Sequence, residues 1–133
     1  MSAFTEAEIN YLGAQMLGRL ATIAPDGQPQ NNPVTFRHNH DAGTIDIGGR
    51  EMPVTRKFRN VQRNPHVSFV VDDLESIQPW KSRFIEIRGH AEALADAEPL
   101  MPGMSRGIIR IRPHRIIAFG IDPDIPGRNA RDV

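Results

Sequence analysis

The chain has 133 residues, which is the length of a single domain, and 39% of them are hydrophobic. Sixteen basic residues balance sixteen acidic ones, so the bulk charge gives no reason to expect a nucleic acid or an anionic membrane as partner. The absence of cysteine excludes disulfides, thiolate zinc sites and thiol nucleophiles. Because the N-terminal segment is polar and no apolar run approaches the ~20 residues of a membrane span, we expect a cytoplasmic protein without a signal peptide.

The first predicted element is a helix that begins after Thr5. Thr5 and Glu8 have the spacing of a capping box, and Phe4 and Ile9 have the spacing of a hydrophobic staple. Apolar residues then recur at helical spacing. The helix is expected to end near residues 17–18.

A hairpin is predicted next. A short apolar run at residues 20–23 precedes the turn residues 25–27, which are Pro-Asp-Gly. The return strand, from about residue 28 to residue 38, contains Pro29 and Pro33. Since proline cannot donate a hydrogen bond to a ladder, this strand is expected at a sheet edge or bulged.

A half-buried strand at residues 44–47 and a second helix from about Thr55 to Arg63 follow. Three apolar residues are expected to face the core: Val54, Phe58 and Val61. Three arginines fall on the opposite face of the helix: Arg56, Arg59 and Arg63. Lys57 lies at the border between the two faces.

The second half of the chain predicts strands at residues 66–71, 83–94, 107–112 and 115–121, with a turn at Pro113-His114 between the last two. Residues 72–81 are expected to form a loop that carries Trp80. About seven evenly spaced strands predict a mainly β domain with a few helices, in which the sheet closes into a barrel. We expect this domain to span residues 1–121 and a polar tail, disordered or lying on a partner, to span residues 122–133.

The strongest candidate site is the start of the second helix, where Gly48, Gly49 and Thr55 follow a strand. The first amides of a helix have no internal partner and lie at the positive end of its dipole, so a phosphate fits there. Thr55 can offer a hydroxyl and Arg56 and Lys57 can offer charge-assisted bonds, while the glycines allow close approach of a planar ring. The alternative is an ordinary Thr55 N-cap beside a solvated arginine face.

The remaining patterns are weaker. The five histidines lack metal-ligand spacing, so no metal site is predicted. Asp72 and Asp73 are adjacent at a strand end, where neighbouring residues point to opposite faces, so we expect them to cap the turn rather than to form a catalytic pair. Trp80 could cover a ring-shaped ligand, lie in a subunit seam or fill a local gap. A short basic helix in a chain without net charge does not fit a nucleic-acid groove.

Six segments occur together in a recognisable order: Gly18–Gly27, Pro29 with Pro33-Val34, Thr55–Pro65, His66–Asp72, Ile87–Leu94 and Arg112–Gly120. In these segments the chain resembles the pyridoxamine 5'-phosphate oxidase-like, FMN-binding split-barrel family. Within that family it is similar to the short members that bind the deazaflavin coenzyme F-420.

The resemblance implies a split β-barrel homodimer with two cofactor sites at the subunit seam. In the flavin-binding members a Ser-Arg-Lys run holds the cofactor phosphate, and Thr55, Arg56 and Lys57 match that run. Asn60 matches an asparagine one turn later, with a structural or cofactor-adjacent role. The C-terminal part that supplies arginines for pyridoxal phosphate is not recognisable, so the resemblance does not imply vitamin B6 chemistry.

The leading hypothesis is a coenzyme F-420-dependent oxidoreductase that transfers a hydride to a small conjugated acceptor. The alternatives are an FMN-binding oxidoreductase of the same fold and a flavin or deazaflavin carrier without turnover. The expected cofactor contacts are Gly48, Gly49, Arg50, Thr55, Arg56, Lys57, Arg59, Asn60 and Trp80. The three arginines among these contacts, Arg50, Arg56 and Arg59, could bind the anionic tail of F-420, which FMN lacks. Catalytic residues are left unassigned, because the cofactor itself carries the hydride.

Overall fold

A closed ring of β-strands forms the centre of this protein, of which a computed structural model describes residues 2–133. Met1, the first residue of the predicted domain, lies outside the described residues. The helical elements are α1 (Glu6–Ala14), a short 3-10 turn (Met52–Val54) and α2 (Arg56–Arg63). The strands are β1 (Leu17–Ile23), β2 (Pro29–Asn39), β3 (Thr44–Gly48), β4 (His66–Ile77), β5 (Trp80–Leu94), β6 (Ile108–Phe119) and β7 (Arg128–Asp132).

The sheet closes because β3 pairs with β6. All pairings are antiparallel, and the strands lie in the order β3-β2-β1-β4-β5-β6-β7. Ile45 lies opposite Ile111 and Ile47 opposite Ile109, so that β1 to β6 form a barrel with β7 beside it. These four isoleucines are fully buried inside the barrel. The predicted mainly β barrel is confirmed.

The start of α1 matches its prediction, whereas its end does not. Thr5 and Glu8 form both hydrogen bonds of the capping box, at 3.1 and 2.9 Å. The helix ends at Ala14 rather than near residues 17–18, because Leu17 already pairs with Thr35 as the first residue of β1. The tertiary pairing thus ends the helix earlier than the apolar spacing predicts.

The β1–β2 hairpin is confirmed, and residues 29–34 of β2 form a sheet edge as the prolines require. These residues pair with β1 alone, and pairing with β3 begins at Thr35. The prediction of a half-buried β3 is wrong, since all five of its residues are buried. Asp46, the charged residue of this strand, can be buried because its carboxylate accepts hydrogen bonds from Arg110, Asn39 and Thr44 at 2.9–3.0 Å.

Three predictions for the second half of the chain are wrong. Residues 72–81 are not a loop, because β4 and β5 continue pairing as far as Ile77 and Trp80. Pro113-His114 is not a turn, because β6 runs straight through it with an irregularity in its pairing to β5. Residues 128–132 of the predicted tail form β7, which pairs with β6.

The position of α2 agrees with its prediction, with Thr55 as N-cap. Phe58 and Val61 are buried in the core as expected, at 3% and 4% exposure. Val54 is 63% exposed instead, since it belongs to the 3-10 turn that precedes the helix. Neither described helix is long and apolar enough to cross a membrane.

Candidate functional site

The start of α2 combines free amides with cations. The Thr55 hydroxyl accepts a bond from the Phe58 amide at 3.3 Å, and the Thr55 carbonyl accepts one from the Arg59 amide. Within the described residues, the amides of Arg56 and Lys57 are left without a hydrogen-bond partner. Such amides bind anions, because the positive end of the helix dipole lies behind them.

The Thr55 side chain is a cap rather than a free hydroxyl. Its proton is donated to the Met52 carbonyl at 2.7 Å, while its oxygen accepts from Phe58. The hydroxyl that the sequence offers to a phosphate is therefore already used within the chain. The amides and the basic side chains remain as the donors for an anion.

The charges of α2 are unusual for a helix start. The first turn of α2 contains no acidic residue. It contains Arg56 and Lys57 instead, whose positive charges interact unfavourably with the positive end of the helix dipole. In the described chain, eight arginines pair with carboxylates, and none of the four basic residues of α2 is among them. The Arg59 guanidinium donates to the Val54 carbonyl at 3.2 Å. A bound anion would offset both the unfavourable dipole and the mutual repulsion of these cations.

A cleft of about 520 Å³ lies beside this basic face. Arg56, Arg59 and Arg63 line it together with Asn60 from α2. The other wall is the tip of the β1–β2 hairpin, with residues 24–26, Gln28 and Gln30. Among the described residues of this lining, Asp26 alone is acidic, and its carboxylate accepts a bond from the backbone amide of Gln28 at 3.0 Å. We refer to this depression as the basic cleft.

Asn60 fixes the two walls of the basic cleft relative to each other. It is 5% exposed, and its amide nitrogen donates to Thr22 on β1 at 3.0 Å and to Gln30 on β2 at 2.7 Å. These bonds tie the helix to the hairpin. The structure thus gives Asn60 a structural position next to the cleft.

The other predicted contacts lie apart from the basic cleft. A side chain at Gly48 would meet Leu100 and Met104, and the Gly49 carbonyl accepts a bond from the Ser105 amide at 2.9 Å. The chain's own residues 100–105 therefore occupy the side from which we expected a planar ring. Arg50 is exposed in the turn after β3 and is not part of the cleft lining.

Trp80 lies at the end of the β4–β5 hairpin and is 67% exposed. It lines a separate depression with Arg19 and Phe84, which shares no residue with the basic cleft. Within one chain, the structure does not bring Trp80 to the start of α2.

A second cleft, which no pattern in the sequence indicates, lies on the other side of the β1–β2 hairpin tip. It has a volume of about 420 Å³, and we refer to it as the histidine cleft. His66, His90 and His114 form one wall, while Ala21, Ile23, Pro29 and Val67 are among its apolar residues. His66 pairs directly with His90 across β4 and β5, which sequence spacing could have indicated only if the hairpin register were known.

The three imidazoles of the histidine cleft pack edge to face. The ring centroids of His66 and His90 are 4.6 Å apart, and those of His90 and His114 are 4.2 Å apart. His90 is exposed, but desolvation by its surroundings, followed by repulsion from His114 and His66, holds the pKa of its ring below the usual value, which favours a neutral ring. In the part of the chain that the structure describes, no group of three metal-ligating residues has an arrangement that could hold a metal ion.

Comparisons with known proteins agree on one family. The sequence profile of the family described as Pyridoxamine 5'-phosphate oxidase matches residues 4–120. A 5a,11a-dehydrotetracycline/5a,11a-dehydrooxytetracycline reductase of Streptomyces rimosus subsp. rimosus is 46% identical over 132 residues, which are 98% of this chain and 93% of that protein.

Solved structures give the same result for the fold. A structure described as an F420 reductase superposes with a TM-score of 0.65 at 26% identity, covering 85% of this chain and 98% of that one. The conserved hypothetical protein Rv2991 of Mycobacterium tuberculosis superposes with a TM-score of 0.67 at 24% identity, covering 88% of this chain and 85% of that one. The chain therefore belongs to the pyridoxamine 5'-phosphate oxidase family, has its split-barrel fold and is an oxidoreductase.

Proposed function

We propose that this protein is a coenzyme F-420-dependent reductase that passes a hydride to a small conjugated acceptor. The observation that carries the proposal is the set of three arginines of α2, Arg56, Arg59 and Arg63, which line the open basic cleft and pair with no carboxylate among the described residues; Lys57 lies at the start of the same helix, outside that lining. Such a surface fits a ligand with several negative charges in a row. F-420 has this character, because a chain of carboxylates continues beyond its phosphate.

The comparisons support the same class of cofactor and reaction. The relative from Streptomyces rimosus is named as a reductase, and a structure of the same fold is named as an F420 reductase. The first name states no cofactor and the second names F420, so together they support a flavin-type cofactor in general. The preference for the deazaflavin over FMN rests on the charges of the basic cleft.

The donor set fits an anionic cofactor in chemical terms. The free amides of Arg56 and Lys57, together with the Lys57 ammonium, would hold the phosphate. Arg56, Arg59 and Arg63 line the basic cleft, where the carboxylates of the tail would lie. When bound, F-420 supplies the hydride, and the protein's task is to position it and to exclude water.

The active form is proposed to be a homodimer. Large apolar side chains remain exposed at one end of the sheet: Met16, Leu17, Leu74, Ile77 and Trp80. They lie close in the fold, because Arg19 of β1 pairs with Val70 of β4 and the β4–β5 hairpin continues past that pair. A second subunit on this surface would cover apolar area that a monomer leaves in water.

Salt dependence of cofactor binding separates F-420 from FMN. F-420 is expected to bind more tightly than FMN at low ionic strength, and its affinity is expected to fall more steeply as salt is added. The reason is that exposed ion pairs with the tail contribute only about 0–1 kcal/mol each and are screened. The measurement is the dissociation constant of each cofactor, from fluorescence titration at low and high salt.

The outcomes of the titration are distinct. Equal salt slopes, or tighter FMN binding at every salt concentration, would replace this proposal by the FMN-dependent alternative. Tight F-420 binding without reduction of any acceptor would instead indicate a carrier protein.

A further inference from the structure

We propose that the histidine cleft binds the acceptor, and that the acceptor is a fused-ring molecule with several hydroxyl or enol oxygens along one edge. The inference rests on the proposed function for the role of this ligand as acceptor, although the binding site itself is argued from the cleft alone.

The cleft has the size and polarity of a small-molecule site. Its volume of about 420 Å³ falls within the range of ligand pockets. Ala21, Ile23, Pro29 and Val67 provide apolar surface, and none of the described residues in the lining is a carboxylate. The one cationic side chain in the lining, Arg88, is already paired with Glu86 at 2.6 Å. These features favour a largely apolar ligand without a strong charge.

The row of imidazoles matches a ligand with several oxygens. The ring centroids of His66, His90 and His114 follow one another at 4.6 and 4.2 Å along one wall. A neutral imidazole carries one donor and one acceptor nitrogen, so the row can bond to either the hydroxyl or the keto form of an oxygen. A single ring with one polar group would use only one of the three histidines.

A β-bulge creates the row. The pairing of β5 with β6 shifts between Arg88 and Gly89, which leaves His114 as the extra residue of β6 and sets it next to His90. Gly89 is required there, since a side chain would approach the Arg112 carbonyl to 2.1 Å. The local backbone is thus shaped so that the third imidazole joins the other two.

The histidine cleft and the basic cleft share one hairpin. Ile23 and Pro29 line the histidine cleft, whereas the neighbouring Ala24, Gln28 and Gln30 line the basic one. Neighbouring residues of the hairpin therefore line the two clefts. An acceptor in the histidine cleft and the anionic tail of a cofactor in the basic cleft could bind at the same time, and hydride transfer then requires the cofactor ring to reach past the hairpin tip into contact with the acceptor.

The experiment is an NMR titration of tetracycline, as a fused-ring polyhydroxylated probe, into the cofactor-free protein in the presence of EDTA. The imidazole signals of His66, His90 and His114 are expected to shift together, and those of His38 and His40 are expected to stay. EDTA removes the alternative that a metal ion bridges probe and protein. If the five histidines show no saturable shift, or if only His38 and His40 shift, the inference is overturned.

Three variants locate the binding further. Ala21→Trp fills the apolar part of the cleft and should weaken binding at least tenfold, while His90→Phe keeps a ring but removes its nitrogens and should weaken binding roughly threefold to tenfold. The control is His40→Phe, in the turn after β2, which should stay within twofold. Equal affinity in all four proteins would overturn the inference, and the wild-type shifts decide it if a variant fails to fold.

Failure of this inference and failure of the proposed function give different results. The titration contains no F-420. If the protein binds tetracycline in the histidine cleft but does not bind F-420, the ligand site is supported and the proposed reductase activity is contradicted. Conversely, if Ala21→Trp and His90→Phe both reduce an acceptor with F-420 and their KM for that acceptor is unchanged, the reductase activity is supported and the histidine cleft is not the acceptor site. A second subunit that covers the cleft would abolish the shifts in the wild-type protein and so count against the inference.

Discussion

Asn60 is the residue that connects the basic helix with the strands around it. Its side-chain amide donates to Thr22 and Gln30 from two different strands, and it is 5% exposed. The bonds of Asn60 fix the position of the α2 arginines relative to the β1–β2 hairpin. The sequence predicts a structural or cofactor-adjacent role for Asn60; its two bonds fit the first role, and its place in the lining of the basic cleft is compatible with the second.

A second buried polar residue, Asp46, closes the barrel and provides a test at the same scale. Its side chain is 0% exposed and accepts two bonds from Arg110 at 3.0 Å. Asp46→Asn is expected to lower the free energy of unfolding at pH 7 by about 3 kcal/mol, because Arg110 would lose its partner in a largely buried site. Urea unfolding measures this value.

The pH dependence of this variant follows from the pKa of Asp46. Burial raises that pKa, but the bonds from Arg110, Asn39 and Thr44 outweigh burial and hold it below its usual value. The stabilisation is therefore complete above the unfolded-state pKa of about 3.9 and is lost as the pH falls through the lower folded-state value. Below about pH 4, the wild type should lose stability more steeply than Asp46→Asn.

The control for Asp46 is Asp96→Asn, which removes an exposed ion pair with Arg106. It should change the free energy of unfolding by less than about 1 kcal/mol. If the two variants were equally stable at pH 7, Asp46 would have no special role in closing the barrel.

At the scale of elements, the sequence predicted what local chemistry determines. The capping box at Thr5 and the N-cap at Thr55 were found because both are short-range hydrogen-bond patterns. The edge character of residues 29–34 followed from proline alone. The start of α2 was recognised as a candidate site for the same reason, since its amides and cations are adjacent in the chain.

Elements that depend on pairing were predicted less well. The pattern of residues 72–81 predicts a loop, yet these residues form the far end of the β4–β5 hairpin, because the backbones of the two strands continue to pair with each other there. Pro113 suggested a turn, but its missing amide is tolerated opposite the irregularity at Gly89. The histidine cleft depends on both of these features, so spacing along the chain could not reveal it.

At the scale of the whole molecule, the exposed apolar end of the sheet bears on assembly. Ile77 and Trp80 are 74% and 67% exposed at the tip of the β4–β5 hairpin. A homodimer that covers this surface should bury more than ~1,000 Å² in total. Sedimentation at micromolar concentration is expected to give twice the mass of one chain, and a purely monomeric species would exclude the proposed dimer.

A matched change separates this surface from the rest of the molecule. Ile77→Glu should shift the sedimenting species towards the monomer. Glu75→Gln, two residues away on the same strand, removes a charge without adding one and should leave the dimer intact. If both variants sediment as the wild type does, the interface lies elsewhere.

The central claim, that an anionic deazaflavin binds at the start of α2, is tested most directly by replacing the two lysines of the chain separately. Lys57→Ala should weaken F-420 binding roughly tenfold to a hundredfold, as the loss of one charge-assisted contact of about 1.5–3 kcal/mol requires, with little change in melting temperature without cofactor. Lys81→Ala, an exposed lysine at the start of β5, should leave the dissociation constant within twofold. The measurement is fluorescence titration of F-420, with FMN in parallel, and unchanged affinity of Lys57→Ala for both cofactors would contradict the account.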